Sequence, residues 1–212
     1  GDALDAGRQV GLVTNDQSHD LVDTQSLRAQ GFSVGEVPGA CFCCKFDELV
    51  ETLVHLGHER RPDVIIAEPV GSCTDLVATV LAPLRRWHDT EFRVGPFGVL
   101  LKPEHGRKIL GSCDEGGFSS KAAYIFLKQI EEAHIVAVNK TDKLAPAERE
   151  ELVGLVRRKF PGKTVMSVSA KTGAGFPELL AALMENMSIP FQPLSIDYEL
   201  YAEGEAELGW LN

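Results

Sequence analysis

Asn139-Lys140-Thr141-Asp142 follows directly on the apolar run Ile135–Val138, and Ser169-Ala170-Lys171 follows a second apolar run. A carboxylate at the end of a buried strand can accept both hydrogen bonds from the N1–H and 2-amino edge that only guanine offers. Adenine would leave those acceptors unpaired in a pocket, which is unfavourable. The Ser169-Ala170-Lys171 loop would then frame the base. Either short motif alone is weak. The two together, in this order and each at the carboxyl end of a predicted strand, point to a guanine-nucleotide site built from Asn139, Lys140, Asp142, Ser169, Ala170 and Lys171.

A second group of residues suits metal chemistry. Cys41, Cys43 and Cys44 fall within four positions, on a predicted loop reached through Pro38-Gly39 and followed by a helix. Three thiolates so spaced can converge on one soft or borderline ion such as zinc and leave a fourth position open, which suits hand-over better than permanent storage. The competing reading is a set of small buried hydrophobes, since free cysteine packs well. Cys73 and Cys113 stand alone and read as core or surface residues.

The third group is acidic. Residues 63–67 form an apolar run ending at Glu68, with Gly71 three positions later. In a nucleotide hydrolase such a carboxylate holds the magnesium shell, and such a glycine amide approaches the γ-phosphate. Asp16, after the first apolar run, offers a second carboxylate near the same metal and reads equally well as a strand-to-helix turn residue.

The elements that must position these residues alternate along the chain. Residues 10–14, 32–37, 63–67, 93–101, 134–138 and 163–168 read as strands, several apolar enough to be buried on both faces. Between them, 20–30, 46–59, 74–87, 119–132, 146–160 and 177–186 read as helices, the second carrying Leu49, Leu53 and Leu56 on one face. Such alternation predicts an α/β fold, a mostly parallel sheet with helices on both faces, in which ligands sit at the carboxyl ends of the strands.

Length and charge set limits. At 212 residues and 44% hydrophobic content the chain can bury one sizeable core. A formal charge of −10 without an extended basic face argues against a nucleic-acid partner. No apolar stretch approaches the roughly 20 residues needed to cross a bilayer. Five cysteines, an odd number, do not read as a disulfide framework, so reduced thiols in the cytoplasm are expected.

Gly39-Ala40-Cys41-Phe42-Cys43-Cys44, Glu68-Pro69-Val70-Gly71, Asn139-Lys140-Thr141-Asp142 and Ser169-Ala170-Lys171, in this order, resemble the CobW-like metallochaperone GTPases, the CobW/HypB/UreG group, across roughly residues 10–183. The wording Thr14-Asn15-Asp16 is also similar to the matching strand end of the urease-type members. The resemblance implies a P-loop NTPase-like domain that binds GTP or GDP with Mg2+, and carries zinc or a related divalent ion on Cys41, Cys43 and Cys44. It also implies coupling of hydrolysis to metal delivery to a client protein, with Glu68 contacting magnesium through water, and a nucleotide-dependent homodimer.

One departure is large. The group's phosphate cradle, G-x-x-G-x-G-K-[ST], does not occur in this sequence. Gly162-Lys163-Thr164 is a decoy, because Arg157 stands where the first glycine should be and the tripeptide precedes a strand instead of following one. The expectation is a G-domain over 1–190 truncated before its phosphate loop, with impaired hydrolysis, since loss of an interior strand would expose apolar surface on its neighbours. The alternative is a non-hydrolysing metal-binding or redox-sensing module on a degenerate G-domain. Residues 191–212, with five acids and no base from Pro193 onward, read as an acidic extension or the start of a linker, alternating at first and then forming a short helix that ends at Trp210-Leu211. His55 and His58 share a helix face but read as a solvated pair, and the other histidines show no partner pattern.

Overall fold

The computed structural model describes residues 8–16, 22–111, 119–185 and 194–209. The chain divides into two compact units, Gly1–Val94 and Gly95–Asn212. Each is built on a three-stranded parallel sheet, so the α/β class read from the sequence holds.

In the first unit β1 (Val10–Asp16) lies between β2 (Ser33–Pro38) and β3 (Val64–Glu68). Parallel neighbours need crossovers long enough to return the chain to the same end of the sheet. These are α1 (Val22–Ala29) and α2 (Phe46–Arg60). Leu49, Leu53 and Leu56 of α2 are buried, as their spacing predicts. The helix lies so close to β2 that a Cβ built on Gly35 would stand 2.4 Å from the Thr52 methyl. The β1 register sets Asn15 beside Val37 and Thr14 beside Glu68, which brings the carboxyl ends of all three strands together.

After β3 the chain makes a turn and a π-helical stretch, Val77–Leu81, that runs into α3 (Ala82–Trp87). The predicted helix 74–87 therefore begins later and less regularly than its apolar pattern implies. Asp75, at φ 63°, interrupts the helix just ahead of the π-helical stretch.

In the second unit β5 (Ile135–Val138) lies between β4 (Gly98–Leu101) and β6 (Thr164–Ser167). Every residue of β5 is buried. Val136 and Val138 join one core with Leu101, Leu110, Ile130, Leu152, Val153, Val156 and Val165. Ile135 and Ala137 join another with Val168 and Leu179. The alternation of side chains along a strand thus feeds two layers of helix. The first comprises α4 (Pro103–Leu110), α5 (Ser120–Glu132) and α6 (Pro146–Lys159); the second is α7 (Phe176–Leu183).

Several boundaries differ from those the sequence suggests. Only 98–101 of the predicted strand 93–101 is extended into the sheet, because Gly95 and Pro96 interrupt it. Helix α4 has no counterpart among the elements the sequence predicts, although Pro103 at its start, Glu104 in its first turn and Arg107 and Lys108 in its last are ordinary helix signals. The alternating stretch after Ser195 is not a strand. Residues Tyr198–Gly209 form α8, which lies on α5: a Cβ on Gly204 would stand 2.6 Å from the Lys121 carbonyl oxygen, and Lys121 pairs with Glu203 at 3.1 Å. The predicted helix starts at Asp20 and ends at Asn186, and Trp210-Leu211, lie outside the described residues, as do Cys113 and His19.

Burial on both faces holds for β5 but not for β3, where Ile66 is 41% exposed. Among the described residues β2 and β3 are the edges of one sheet and β4 and β6 those of the other, and Leu100 of β4 is 59% exposed. Among the described residues no helix is long and apolar enough to cross a membrane.

Candidate functional site

In the second unit the chain leaves β5 through Asn139 and takes a left-handed turn at Lys140, φ 58°, before a short 3-10 helix over Thr141–Lys143. The turn is held from inside. Thr141 donates its hydroxyl to the Val168 carbonyl at 2.8 Å and its amide to the same oxygen at 3.2 Å, which fastens this loop to the one after β6. Asn139 Oδ1 accepts from the Lys140 amide at 2.7 Å and from the Ala170 amide at 3.0 Å. The Asn139 side chain is therefore fixed by both loops.

Asp142 is exposed, and its Oδ1 accepts the Ser169 hydroxyl at 2.7 Å. That hydrogen bond, with the Asp142 backbone amide and the nearby Lys171 and Lys143 charges, outweighs slight desolvation and holds the carboxyl below its ordinary range. Ser169 is buried, and its own backbone closes the loop through Ala174 and Gly173. The structure thus brings Asn139, Lys140, Asp142, Ser169, Ala170 and Lys171 into one pair of adjoining loops with an anionic carboxylate facing outward. Lys163, by contrast, donates to the Glu131 carbonyl at 2.5 Å just ahead of β6, far from any phosphate-cradling geometry, as expected of a decoy.

In the first unit the cysteine loop is a turn between β2 and α2. Lys45 and Cys44 amides both reach back to the Cys41 carbonyl at 3.1 Å. Phe42, 2% exposed, is inserted into the core and leaves its neighbours outside. The three sulfurs face one another: Cys41 to Cys43 2.7 Å, Cys41 to Cys44 3.2 Å and Cys43 to Cys44 3.9 Å. A tetrahedral ion with sulfur bonds of about 2.3 Å needs its sulfurs about 3.8 Å apart, so a modest opening of this triangle would admit it. Among the described residues it is the one cluster of three or more such ligands.

The thiols are electrostatically unequal. Burial raises the Cys41 thiol, but its interactions with the Cys43 and Cys44 thiols, the Cys44 amide and the Cys73 thiol together outweigh it and leave Cys41 below its ordinary value. Burial and the neighbouring Cys41 sulfur push Cys43 strongly upward. Cys41 is therefore the more readily ionised of the pair and Cys43 the less.

Asn15, which nothing in the sequence marks out beside Asp16, is a positioning residue. Its Nδ2 donates to the Val37 carbonyl at 2.7 Å and to the Ala40 carbonyl at 2.7 Å, and its Oδ1 accepts the Val70 amide at 3.4 Å. One side chain therefore ties the start of the cysteine loop to the loop after β3. That second loop carries Glu68 and Gly71, both exposed, and turns through a Cys73 amide to Val70 carbonyl bond of 2.9 Å. A Cβ on Gly71 would meet open space, so packing inside the protein does not call for glycine there. The Asp16 backbone pairs with Pro38, and its side chain lies outside the described residues.

His55 and His58 do not join the sulfurs. His55 instead faces Glu59 at 3.3 Å on the exposed side of α2, as a solvated pair would.

Comparison with known proteins gives two matches of different kinds. The model of the family described as CobW/HypB/UreG, nucleotide-binding domain, matches residues 3–167. Among solved structures, the crystal structure of hydrogenase maturation factor HypB from Archaeoglobus fulgidus superposes with a TM-score of 0.51 at 15% identity, covering 85% of this chain and 76% of that one. At that identity the likeness is one of fold. No curated protein matches the chain.

Proposed function

Since the chain belongs to the CobW/HypB/UreG nucleotide-binding family, we propose that it is a GTP-binding metallochaperone that couples GTP hydrolysis to the binding and delivery of a divalent metal, zinc, through Cys41, Cys43 and Cys44. The observation that supports this reading best is the convergence of those three sulfurs within 4.8 Å of one another on a loop that Asn15 ties to the loop of Glu68 and Gly71. A carrier needs ligands that are close enough to grip an ion and connected to a part that can move.

In this reading Asn139, Lys140, Asp142, Ser169, Ala170 and Lys171 bind the guanine. Glu68 and Asp16 hold the Mg2+ shell, and the Gly71 amide meets the γ-phosphate. Magnesium supplies charge neutralisation on the phosphates when bound. The protein's own part is to present the Glu68 carboxylate at the end of β3 and, three residues later, the exposed Gly71. No residue of the sequence is assigned to the β-phosphate, since the G-x-x-G-x-G-K-[ST] motif does not occur in it. Residues 1–190 make up the G-domain and 191–212 its acidic extension, with five carboxylates and no base from Pro193 onward. A nucleotide-dependent homodimer and a cytoplasmic location complete the reading.

Zinc titration of the protein and of a Cys41→Ser, Cys43→Ser, Cys44→Ser triple variant tests the metal part; equal affinity in the two would remove it. For the nucleotide part, Asp142→Asn should shift preference from guanine to xanthine nucleotides, because an amide can donate to the O2 of xanthine where a carboxylate only accepts. Unaltered GDP preference would sink that assignment. GTP turnover that survives Glu68→Gln would remove Glu68 from catalysis.

The contrasting reading, a redox-sensing module, draws on the 2.7 Å separation of Cys41 and Cys43 and on the opposite directions in which their surroundings push the two thiols. It predicts a reversible disulfide in place of metal-dependent behaviour.

A further inference from the structure

We propose that Cys73 is the fourth thiol of the metal centre, which makes it a four-sulfur site with three ligands on the loop before α2 and one on the loop after β3. The proposal rests on the reading that Cys41, Cys43 and Cys44 hold a metal, and adds to it a ligand that lies far away in sequence.

Three observations carry it. Asn15 binds the Ala40 carbonyl, one residue before Cys41, and the Val70 amide, at the start of the turn that delivers Cys73, so the two loops are held side by side by a single side chain. Cys73 is 4% exposed, and its thiol is among the groups that lower the Cys41 thiol. The trio itself remains partly open, with Cys44 exposed and Cys41 and Cys43 half-buried, so the inner side of the cluster is where a fourth ligand would stand. A small core residue would account for the burial of Cys73 alone. The Asn15 side chain, which holds the loop of Cys73 against the start of the cysteine loop, is what brings it beside the centre.

The chemistry differs from that of an open three-thiol site. Four thiolates close the tetrahedron around a borderline ion and exclude water, which is the arrangement of a holding site; three leave a position for an incoming ligand. Cys73 lies two residues beyond Gly71. Any displacement of the loop after β3 that withdraws it would convert the holding site into a transferring one, with Cys41, Cys43 and Cys44 keeping the ion until a client supplies the fourth ligand. That gives the loop of Glu68 and Gly71 a direct grip on the metal.

Cadmium alone serves as the probe, titrated into the full chain without nucleotide. Its sulfur-to-metal charge-transfer absorbance scales with the number of bound thiolates. Cys73→Ser should still bind one cadmium, with about one quarter of the absorbance lost and affinity lower by roughly tenfold or more, while far-ultraviolet circular dichroism stays as in the parent. Cadmium-113 resonance of the unaltered protein needs no variant and should fall in the four-thiolate range. A three-sulfur resonance, or parental absorbance and affinity in Cys73→Ser while Cys43→Ser loses binding, would overturn the assignment of Cys73 and leave the three-thiol centre standing. Failure of the unaltered protein to bind cadmium would overturn both.

Discussion

The hydroxyl of Ser169 donates to Oδ1 of Asp142 at 2.7 Å, joining the loop after β6 to the loop after β5. Asp142 is exposed and would otherwise sample several rotamers. With one oxygen held by a buried serine, its carboxylate is oriented before a base arrives, and less ordering remains to be done on binding. Thr141 reinforces the same junction from beneath through its double hold on the Val168 carbonyl.

Ser169→Ala should therefore weaken guanine-nucleotide affinity by about tenfold. It should also move its pH dependence. Asp142 is held below its ordinary range, Ser169 first among the causes, so base binding persists as pH falls through the usual aspartate range and is lost only below it. Without the serine hydroxyl, affinity should decline at higher pH than in the parent. Fluorescent GDP titrations across acidic pH read both effects; coincident pH profiles would show that Ser169 does not set the charge of Asp142.

Alkylation should distinguish the thiols in the metal-free protein. Cys41 lies below its ordinary value because its neighbours' hydrogen bonds exceed the effect of burial, whereas burial and the Cys41 charge push Cys43 up. Since the thiolate is the nucleophile, Cys41 should react with iodoacetamide well before Cys43, and should keep reacting as pH is lowered towards neutrality. Peptide mapping after brief labelling gives the order. Zinc should protect both, and earlier labelling of Cys43 would contradict the assignment of the charge.

Gly175 is a position that tolerates no side chain. Its φ is 74°, and a Cβ there would stand 2.2 Å from the Ser167 carbonyl oxygen. It also begins α7, whose Leu179 fills the second core of the second unit. Gly175→Ala should destabilise the protein by at least about 2 kcal/mol, combining left-handed strain with a backbone clash. Urea unfolding measures this. A midpoint equal to that of the parent would mean that the loop after β6 is free to rearrange.

Gly204 plays a comparable role between two helices. A Cβ on it would stand 2.6 Å from the Lys121 carbonyl oxygen and 3.0 Å from Ile125, so α8 approaches α5 closely there. The Asp197 amide bound to the Tyr124 hydroxyl at 2.8 Å and the Lys121–Glu203 pair fix its angle. Gly204→Val should lift α8 and destabilise the fold by about 1 to 3 kcal/mol. Limited proteolysis should then cut near 194–209 much faster. Resistance equal to the parent's would show that α8 contributes nothing to the packing of α5.

The sequence itself settled whatever depends on neighbours along the chain. The alternation of apolar runs with amphipathic stretches determined a parallel α/β arrangement, because a strand buried on both faces, such as β5, must be apolar throughout. Asn139 to Asp142 were legible for the same reason: strand, turn and ligand-reading residues are contiguous. So was the convergence of Cys41, Cys43 and Cys44, which one turn suffices to produce. Less was legible where context overrides pattern. Helix α4 is short and half polar, and the acidic stretch after Ser195 shows a strand-like alternation, yet the surface of α5 receives it as a helix.

Only the tertiary structure decided which distant residues meet. Nothing local distinguishes Asn15 from other turn residues or Cys73 from a core cysteine. The β1 register with β2 and β3 brings the ends of three strands together, and Asn15 can then hold the two loops that carry Cys41 and Cys73. Such contacts depend on how strands far apart in sequence pair, and hydrophobic periodicity along one segment carries no information about that pairing.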